Sequence, residues 1–458
     1  MATVRGVTVI VTATVPGTDP GTAPRTAPRT PPTASTPVPA GAAAAAPAGA
    51  QSAPLVALLA GEPSGDLLGA GLMQALRDRV PDIRFVGVGG PHMRGVGLDC
   101  LLPAEQLAMN GIAEPLRRLP ELFGILRQLR RALIDRAPDA FVGIDFNVFN
   151  LLLERLLKRR GIATVHYVSP SVYAWRRGRL KRFRRSMDRV LTLYPFEPPL
   201  YSGSGVDAVF VGHPLADELW PVEDAQAARA AVGIPAEAPL VLTVMPGSRR
   251  AELALLADDF LAAAALVQAR VPGARVLLPL VDDAAVEAVA PLLARRPMVA
   301  PLLLVGRSRE ALAAADLVLV KSGTGTLEAM LLGRPMVVAY RVGPWTYRLL
   351  KRLVRARWIA LPNILAGETL VPELIQDTVT PEALADALLA QHARGGAQDA
   401  SLRDRFAVLG DGLRRDASAR AAEAVLELIG NRANPGVPAA GVRAAGVRAP
   451  GVRAAGVR

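Results

Sequence analysis

Residues 54–72 read PLVALLAGEPSGDLLGAGL, and the order of residue types within them decides the fold. A run of apolar residues (54–60) ends in a turn of glycines, a serine, a proline and two carboxylates, and a helix-forming stretch follows. A buried strand that turns this tightly into a helix presents free backbone N–H groups at the helix start, where glycine lets a ligand approach. The same order recurs along the chain. RFVGVGG (84–90), AFVGID (140–145), TVHYVS (164–169), RVLTLY (189–194) and AVFVG (208–212) complete a first series of strands. After a more polar joint near 216–236, LVLTVMPGS (240–248), RVLLPL (275–280), LLLVG (302–306), DLVLVKSG (316–323) and PMVVAY (335–340) form a second. Near-continuous apolar strands separated by helices predict parallel sheets covered on both faces. Two series predict an α/β protein of two doubly wound, Rossmann-like domains, with ligands in the cleft between them.

The bulk composition agrees. The chain of 458 residues is too long for one ordinary core, and 51% hydrophobic residues suffice for two. One cysteine, Cys100, excludes an intramolecular disulfide framework and fits a reducing compartment. The net charge of +12 is spread unevenly: residues 1–53 carry +2 and residues 431–458 carry +5, which leaves +5 for the rest. That modest excess argues against a nucleic-acid partner. Residues 1–53, mostly Pro, Thr and Ala beyond the short run GVTVIVTATV (6–15), predict a disordered leader, and the five-residue GVRAA period at 431–458 a flexible tail. The expected domains are 54–215 and 216–399, with the helical stretch 400–430 a candidate to pack back on the first. No stretch approaches the roughly 18–20 apolar residues of a spanning helix.

The residues beyond the strand ends carry the chemistry. MPGSRRAE (245–252) and KSGTGTLEAML (321–331) each put small residues at a helix N-terminus, where the dipole favours an anion. Arg249 adds a guanidinium suited to phosphate, and Glu328 a carboxylate one turn inside, suited to ribose hydroxyls. A nucleoside diphosphate fits this set; ordinary turn chemistry is the competing reading. Asp145 ends a buried strand, where a carboxylate can serve as a general base or cap the next helix. Glu62 and Asp66 compete for the same role. His213 in VGHPLAD shapes a domain junction or is structural. The four histidines (His92, His166, His213, His392) lack ligand spacing, so no metal and no cofactor is expected. In residues 110–133, apolar side chains alternate with arginines. They suit either an anionic bilayer surface or core-facing helices with solvated arginines.

Taken in order, AGEPSGDLLGAGLMQAL, RFVGVGGPHM, FVGIDFNVFN, HYVSPSVYAWR, FVGHPLAD, MPGSRRAE, SGTGTLEAMLLGRPMVVAYR and LPNILAGETLVPELIQ resemble the lipid-A-disaccharide synthases from about residue 54 to 429. The resemblance implies an inverting GT-B glycosyltransferase, peripheral on the cytoplasmic face of a Gram-negative inner membrane. Its partners would be UDP-2,3-diacylglucosamine and 2,3-diacylglucosamine 1-phosphate, joined into the β-1,6-linked disaccharide 1-phosphate with release of UDP. The resemblance makes Asp145 the essential carboxylate and puts Gly247, Ser248, Arg249, Ser322, Gly323, Thr324, Glu328 and Asn363 around UDP. It maps an apolar membrane patch on Ala113, Pro115, Leu116, Leu119, Leu122 and Phe123, and leaves a homodimer open. Gly61, Glu62, Ser64, Gly65, Asp66 and Ser169 are our own assignment to the acceptor side of the cleft. In that assignment Ser64 holds a sugar or phosphate, while Glu62 and Asp66 bind hydroxyls or brace the loop.

Two departures stand out. The family commonly has a proline and a second acid shortly after its aspartate, where this chain has Phe146-Asn147-Val148. Pro115 replaces a larger apolar residue. Another lipid-directed UDP-sugar transferase or a UDP-sugar epimerase would share the architecture; the former would lack SPSVYAWR and the latter needs no lipid patch.

Overall fold

The computed structural model describes residues 2–4, 7–10, 53–107, 119–170, 180–222, 224–343, 346–348 and 357–433. Two short antiparallel strands, β1 (Ala2–Val4) and β2 (Val7–Ile10), open the chain. A seven-stranded sheet follows: β3 (Leu55–Ala60), β4 (Arg84–Gly89), β5 (Asp99–Pro103), β6 (Ala140–Ile144), β7 (Ala163–Tyr167), β8 (Arg189–Thr192) and β9 (Asp207–Phe210). The second sheet contains β10 (Val241–Met245), β11 (Arg275–Leu280), β12 (Leu302–Val305), β13 (Leu317–Lys321), β14 (Met336–Tyr340) and β15 (Glu373–Ile375). Every strand predicted from an apolar run forms, and all of these pair in parallel.

The spatial orders are β5-β4-β3-β6-β7-β8-β9 and β12-β11-β10-β13-β14-β15. Each is a doubly wound order whose direction reverses once, between β3 and β6 in the first sheet and between β10 and β13 in the second. Ligands bind beyond the carboxyl ends of the strands at such a reversal. The loops concerned start at Gly61, Asp145, Pro246 and Ser322, which bear the motifs singled out above.

Helices cover both faces, as parallel strands require. Under the first sheet, Leu72 and Leu76 of helix Pro63–Arg79 pack with Ala421 and Val425 of the last helix. On its other face Leu129, Leu133, Leu153 and Leu157 close the core. The second sheet is covered by Leu256, Phe260 and Leu388 on one side and by Leu327, Met330 and Phe406 on the other.

Of the two closing helices, Ala400–Leu413 packs into the second sheet's core, whereas Ala417–Ala433 crosses to the first. The crossing point is tied down. Leu413 O accepts from the His213 N–H at 3.0 Å, and the Asp217 carboxylate accepts from the N–H groups of Arg415, Asp416 and Ala417 at 3.0, 3.1 and 2.7 Å. His213 is buried, its Nδ1 accepts from the Leu215 N–H at 3.2 Å, and burial pushes its pKa down to about 4. Its side chain thus has a structural role, capping helix Pro214–Glu218, while its backbone N–H makes the junction contact, so the two readings hold together.

The expectation of an unpacked 1–53 leader is corrected at its start. β2 lies parallel to β12, with Val9 opposite Leu303 and Ile10 opposite Leu304, so VTVI extends the second sheet. Its β-branched residues suit the open edge that β12 presents. The rest of the leader (11–52), the Trp175 loop (171–179) and the tail (434–458) lie outside the described residues.

Candidate active site

A cavity of about 510 Å³ opens at the reversal of the second sheet. Gly247, Ser248, Arg249, Gly323, Thr324 and Glu328 all line it, joined by Glu252, Lys321, by Pro279, Leu280 and Val281 at the end of β11, and by Gly306 and Ser308 beyond β12. Burial raises the Glu328 carboxyl above its ordinary range, opposed by Arg309. Glu328 lies one turn inside helix Thr324–Leu331, and a partly buried carboxylate there is a strong acceptor for hydroxyl donors.

The two helix N-termini in this cavity differ. At helix Arg250–Arg270, Glu252 Oε2 accepts from the N–H groups of Ser248 and Arg249 at 3.1 and 3.3 Å. Gly247 sits at φ +133°, and a Cβ there would lie 2.6 Å from the Glu252 side chain. The glycine is thus needed to admit an internal carboxylate, and these N–H groups are not free, contrary to the turn chemistry expected from the sequence. At helix Thr324–Leu331, no side chain of the N-cap residue Gly323 competes for the first N–H groups.

A second cavity of about 200 Å³ lies between the two sheets. Val168, Ser169, Leu193, Tyr194 and Glu197 line it from one side, Ser322, Gly323, Thr324, Ile359 and Leu361 from the other. Gly323 and Thr324 belong to both cavities and connect them. Ser322 has its hydroxyl on Ile359 O at 2.7 Å, so it faces the second cavity rather than the first. Ser169 is buried against Tyr201, with Oγ and the phenol oxygen 2.9 Å apart.

Asp145 stands one strand over from Ser169, at the end of β6, and lines neither cavity. Its backbone is strained: Asp145 and Phe146 adopt φ 48° and 47°, and Val168 on the neighbouring strand end adopts 78°. Each such non-glycine residue costs on the order of 1–3 kcal/mol and persists only where its surroundings fix it. The fixing contacts are visible. The Asp145 N–H donates to Tyr167 O at 2.9 Å, and buried Asn150 donates through Nδ2 to Asp145 O at 2.9 Å and Ile144 O at 3.2 Å. The helix N-cap position falls on Phe146, one residue after Asp145. Gly61 is small because the Phe146 ring lies where its Cβ would be, 2.8 Å away.

Around the first loop the roles separate. Asp66 is buried and accepts from the N–H groups of Gly90, His92 and Met93 at 2.8, 2.9 and 3.0 Å. It braces the loop, with both carboxylate oxygens engaged by backbone N–H groups. Gly65 lets the helix approach Ala60 and Ile144, and Ser64 is exposed in its first turn. Glu62 faces the second domain's loop, its carboxylate 3.3 Å from Arg249 Nη2. Asn363, expected at UDP, is corrected too. It is buried, gives Nδ2 to Val371 O and Glu373, and accepts from the N–H groups of Leu370 and Val371. Its polar atoms knit a loop beneath the site.

Sequence reasoning missed Asn150, Glu197, Glu252 and Lys321. A charged residue ending an otherwise apolar strand, such as Lys321, was the one available signal. Glu197 is buried at the second cavity; burial pushes its carboxyl up to about 8, against donors from Tyr194, Leu193 and Ser169. From the ordinary carboxylate range up to that value, the folded chain holds a proton that the unfolded chain has released. Stability should therefore fall as pH rises through this window. Urea midpoints at pH 5 and pH 8 should show this fall in the parent and a flatter profile in Glu197→Gln; parallel profiles would contradict it.

The family described as lipid-A-disaccharide synthetase matches residues 56–425. The chain belongs to this family. It is 49% identical over 395 residues to the lipid-A-disaccharide synthase of Xanthomonas campestris pv. campestris strain 8004, covering 84% of this chain and 90% of that protein. To the lipid-A-disaccharide synthase of Pseudomonas aeruginosa strain LESB58 it is 51% identical over 377 residues, covering 82% of this chain and 98% of that one. The glycosyltransferase of kitacinnamycin superposes with a TM-score of 0.51 at 19% identity, covering 82% of this chain and 98% of its own. The calicheamicin glycosyltransferase CalG4 gives 0.51 at 18%, covering 83% and 99%. These two likenesses speak for the GT-B fold alone. A glycosyltransferase of the lipid-A-disaccharide synthase family is what the ordered motifs had implied, and the epimerase alternative falls away.

Proposed function

We propose that the chain transfers 2,3-diacylglucosamine from UDP to the 6-hydroxyl of 2,3-diacylglucosamine 1-phosphate, with inversion, at the face of a membrane. The observation that supports this best is the pairing of two reversals. A cavity lined by Gly247, Arg249, Gly323, Thr324 and Glu328 suits UDP on one sheet, and a carboxylate held at a strained strand end, Asp145, stands on the other. Asp145 takes the acceptor proton as the hydroxyl attacks C1 of the donor. The diphosphate leaves from the opposite side of that carbon, so an α-linked donor gives a β-linked product. Purified protein given both acylated substrates should release UDP and form disaccharide 1-phosphate in equal amounts; UDP release without disaccharide would count against the reading.

Acyl-anchored substrates require the cleft to reach a bilayer. Among the described residues no helix is long and apolar enough to cross one. Ala113, Pro115 and Leu116 lie outside the described residues, and Leu119 begins helix Leu119–Arg136. Along that helix the apolar stripe divides: Ile125, Leu126, Leu129 and Leu133 are core, Leu122 packs against them, and Phe123 is 50% exposed. Arg127 and Arg131 are exposed nearby in sequence. This supports a narrower docking patch than the sequence implied, centred on Phe123, because apolar rings and cations together favour an anionic interface. Phe123→Ser should reduce co-sedimentation with anionic liposomes and leave turnover in detergent near the parent's. Parent-like sedimentation would remove Phe123 from the patch.

A further inference from the structure

The strand that leads into the donor cavity ends on a cation the assignment above does not use. Lys321 closes β13, a strand whose four preceding residues, Leu317–Val320, are buried. Its Nζ lies 2.8 Å from Glu252 Oε1, and a Cβ built on Gly323 would lie 3.7 Å from that Nζ. The ammonium therefore hangs between the two helix N-termini of the cavity. Glu252 is anchored on the far side, through Oε2, to the N–H groups of Ser248 and Arg249. Its carboxylate thus makes the contacts a phosphate would make at the start of helix Arg250–Arg270: two backbone N–H groups and a lysine. Both ionic side chains are about four-fifths buried, so their interaction is weakly screened.

We propose that Lys321 is a second cation for the donor's diphosphate, exchanging Glu252 for phosphate oxygens and neutralising the leaving group during transfer. The proposal rests on the reading of this cavity as the UDP site. In the reaction the C1–O bond to the β-phosphate breaks and its electron pair stays on the departing oxygen. That oxygen becomes a terminal phosphate oxygen with one more negative charge. The new bond forms from the acceptor oxygen, whose proton passes to Asp145. Charge thus grows on the diphosphate in the transition state, where a positioned cation lowers the barrier. Arg249 is mostly exposed and held 3.3 Å from Glu62 on the other side of the cleft. Lys321, on a strand end, is the more rigidly placed of the two.

Titrations of UDP and of uridine into the parent, Lys321→Met, Lys321→Arg and Glu252→Gln test this. Lys321→Met should lose at least about tenfold in UDP affinity, as expected for a charge-assisted contact, with uridine affinity unchanged. Its kcat at saturating donor should fall by a similar factor, and Lys321→Arg should recover most of both. Glu252→Gln should bind UDP as tightly as the parent or more so, because the competing carboxylate is gone while an amide oxygen still accepts from the loop. Lys321→Met with parent UDP affinity and kcat would overturn the proposal. So would equal losses of UDP and uridine affinity in Lys321→Met and Glu252→Gln, the mark of a merely structural ion pair. A parent that binds neither ligand would remove the reading of the cavity itself, which is a distinguishable failure.

Discussion

Asp145→Asn is expected to lower turnover by about 10²–10⁴-fold while fold and UDP affinity persist. A hydroxyl is a weak nucleophile at neutral pH, and an amide cannot take its proton. The substitution is nearly isosteric, so the strained turn at Asp145 and Phe146 keeps its backbone contacts to Tyr167 and Asn150. Steady-state kinetics with UDP titration on the same preparation separate the two effects. Near-normal turnover would transfer the role to Glu62, since Asp66 is committed to three backbone N–H groups.

The second large effect concerns donor binding. Arg249→Ala and Glu328→Gln should each cost roughly 1.5–3 kcal/mol of UDP affinity, the value of one charge-assisted contact. Both residues line the donor cavity, and Arg249 is exposed enough that its loss should not lower the melting temperature. Glu328 adds a pH signature. Its carboxyl is held above the ordinary range by burial, and ribose hydroxyls donate to the ionised form. Affinity in the parent should therefore decline on acidification at a higher pH than an ordinary carboxylate would give, and Glu328→Gln should flatten that decline. Parent-like affinity in both variants would remove these residues from the site.

The fold was legible because buried parallel strands are written as uninterrupted apolar runs, and each such run became a strand. What escaped were edges. Asp99–Pro103 and Glu373–Ile375 are short and half-buried, and Val7–Ile10 joins a strand nearly three hundred residues away. The site was legible as far as loops are. The positions of Gly247, Arg249, Gly323 and Glu328 follow from where strands end. The partners of Asp66, Asn363 and Glu252 do not, because they are backbone groups and side chains that only the folded chain brings together, those of Asp66 lying 24 to 27 residues away and Lys321 lying 69 residues from Glu252. The stripe at Leu122 to Leu133 was ambiguous for a related reason: helical spacing places apolar residues on one face without saying whether core or lipid covers it.

The central claim, inverting transfer across the cleft between a UDP site and Asp145, is tested most directly by the product itself. Labelled 2,3-diacylglucosamine 1-phosphate and UDP-2,3-diacylglucosamine, incubated with the parent and with Asp145→Asn, should give a β-1,6-linked disaccharide 1-phosphate from the parent and almost none from the variant. The anomeric proton coupling of the new linkage reports the configuration. An α linkage, or equal yield from the variant, would contradict the account.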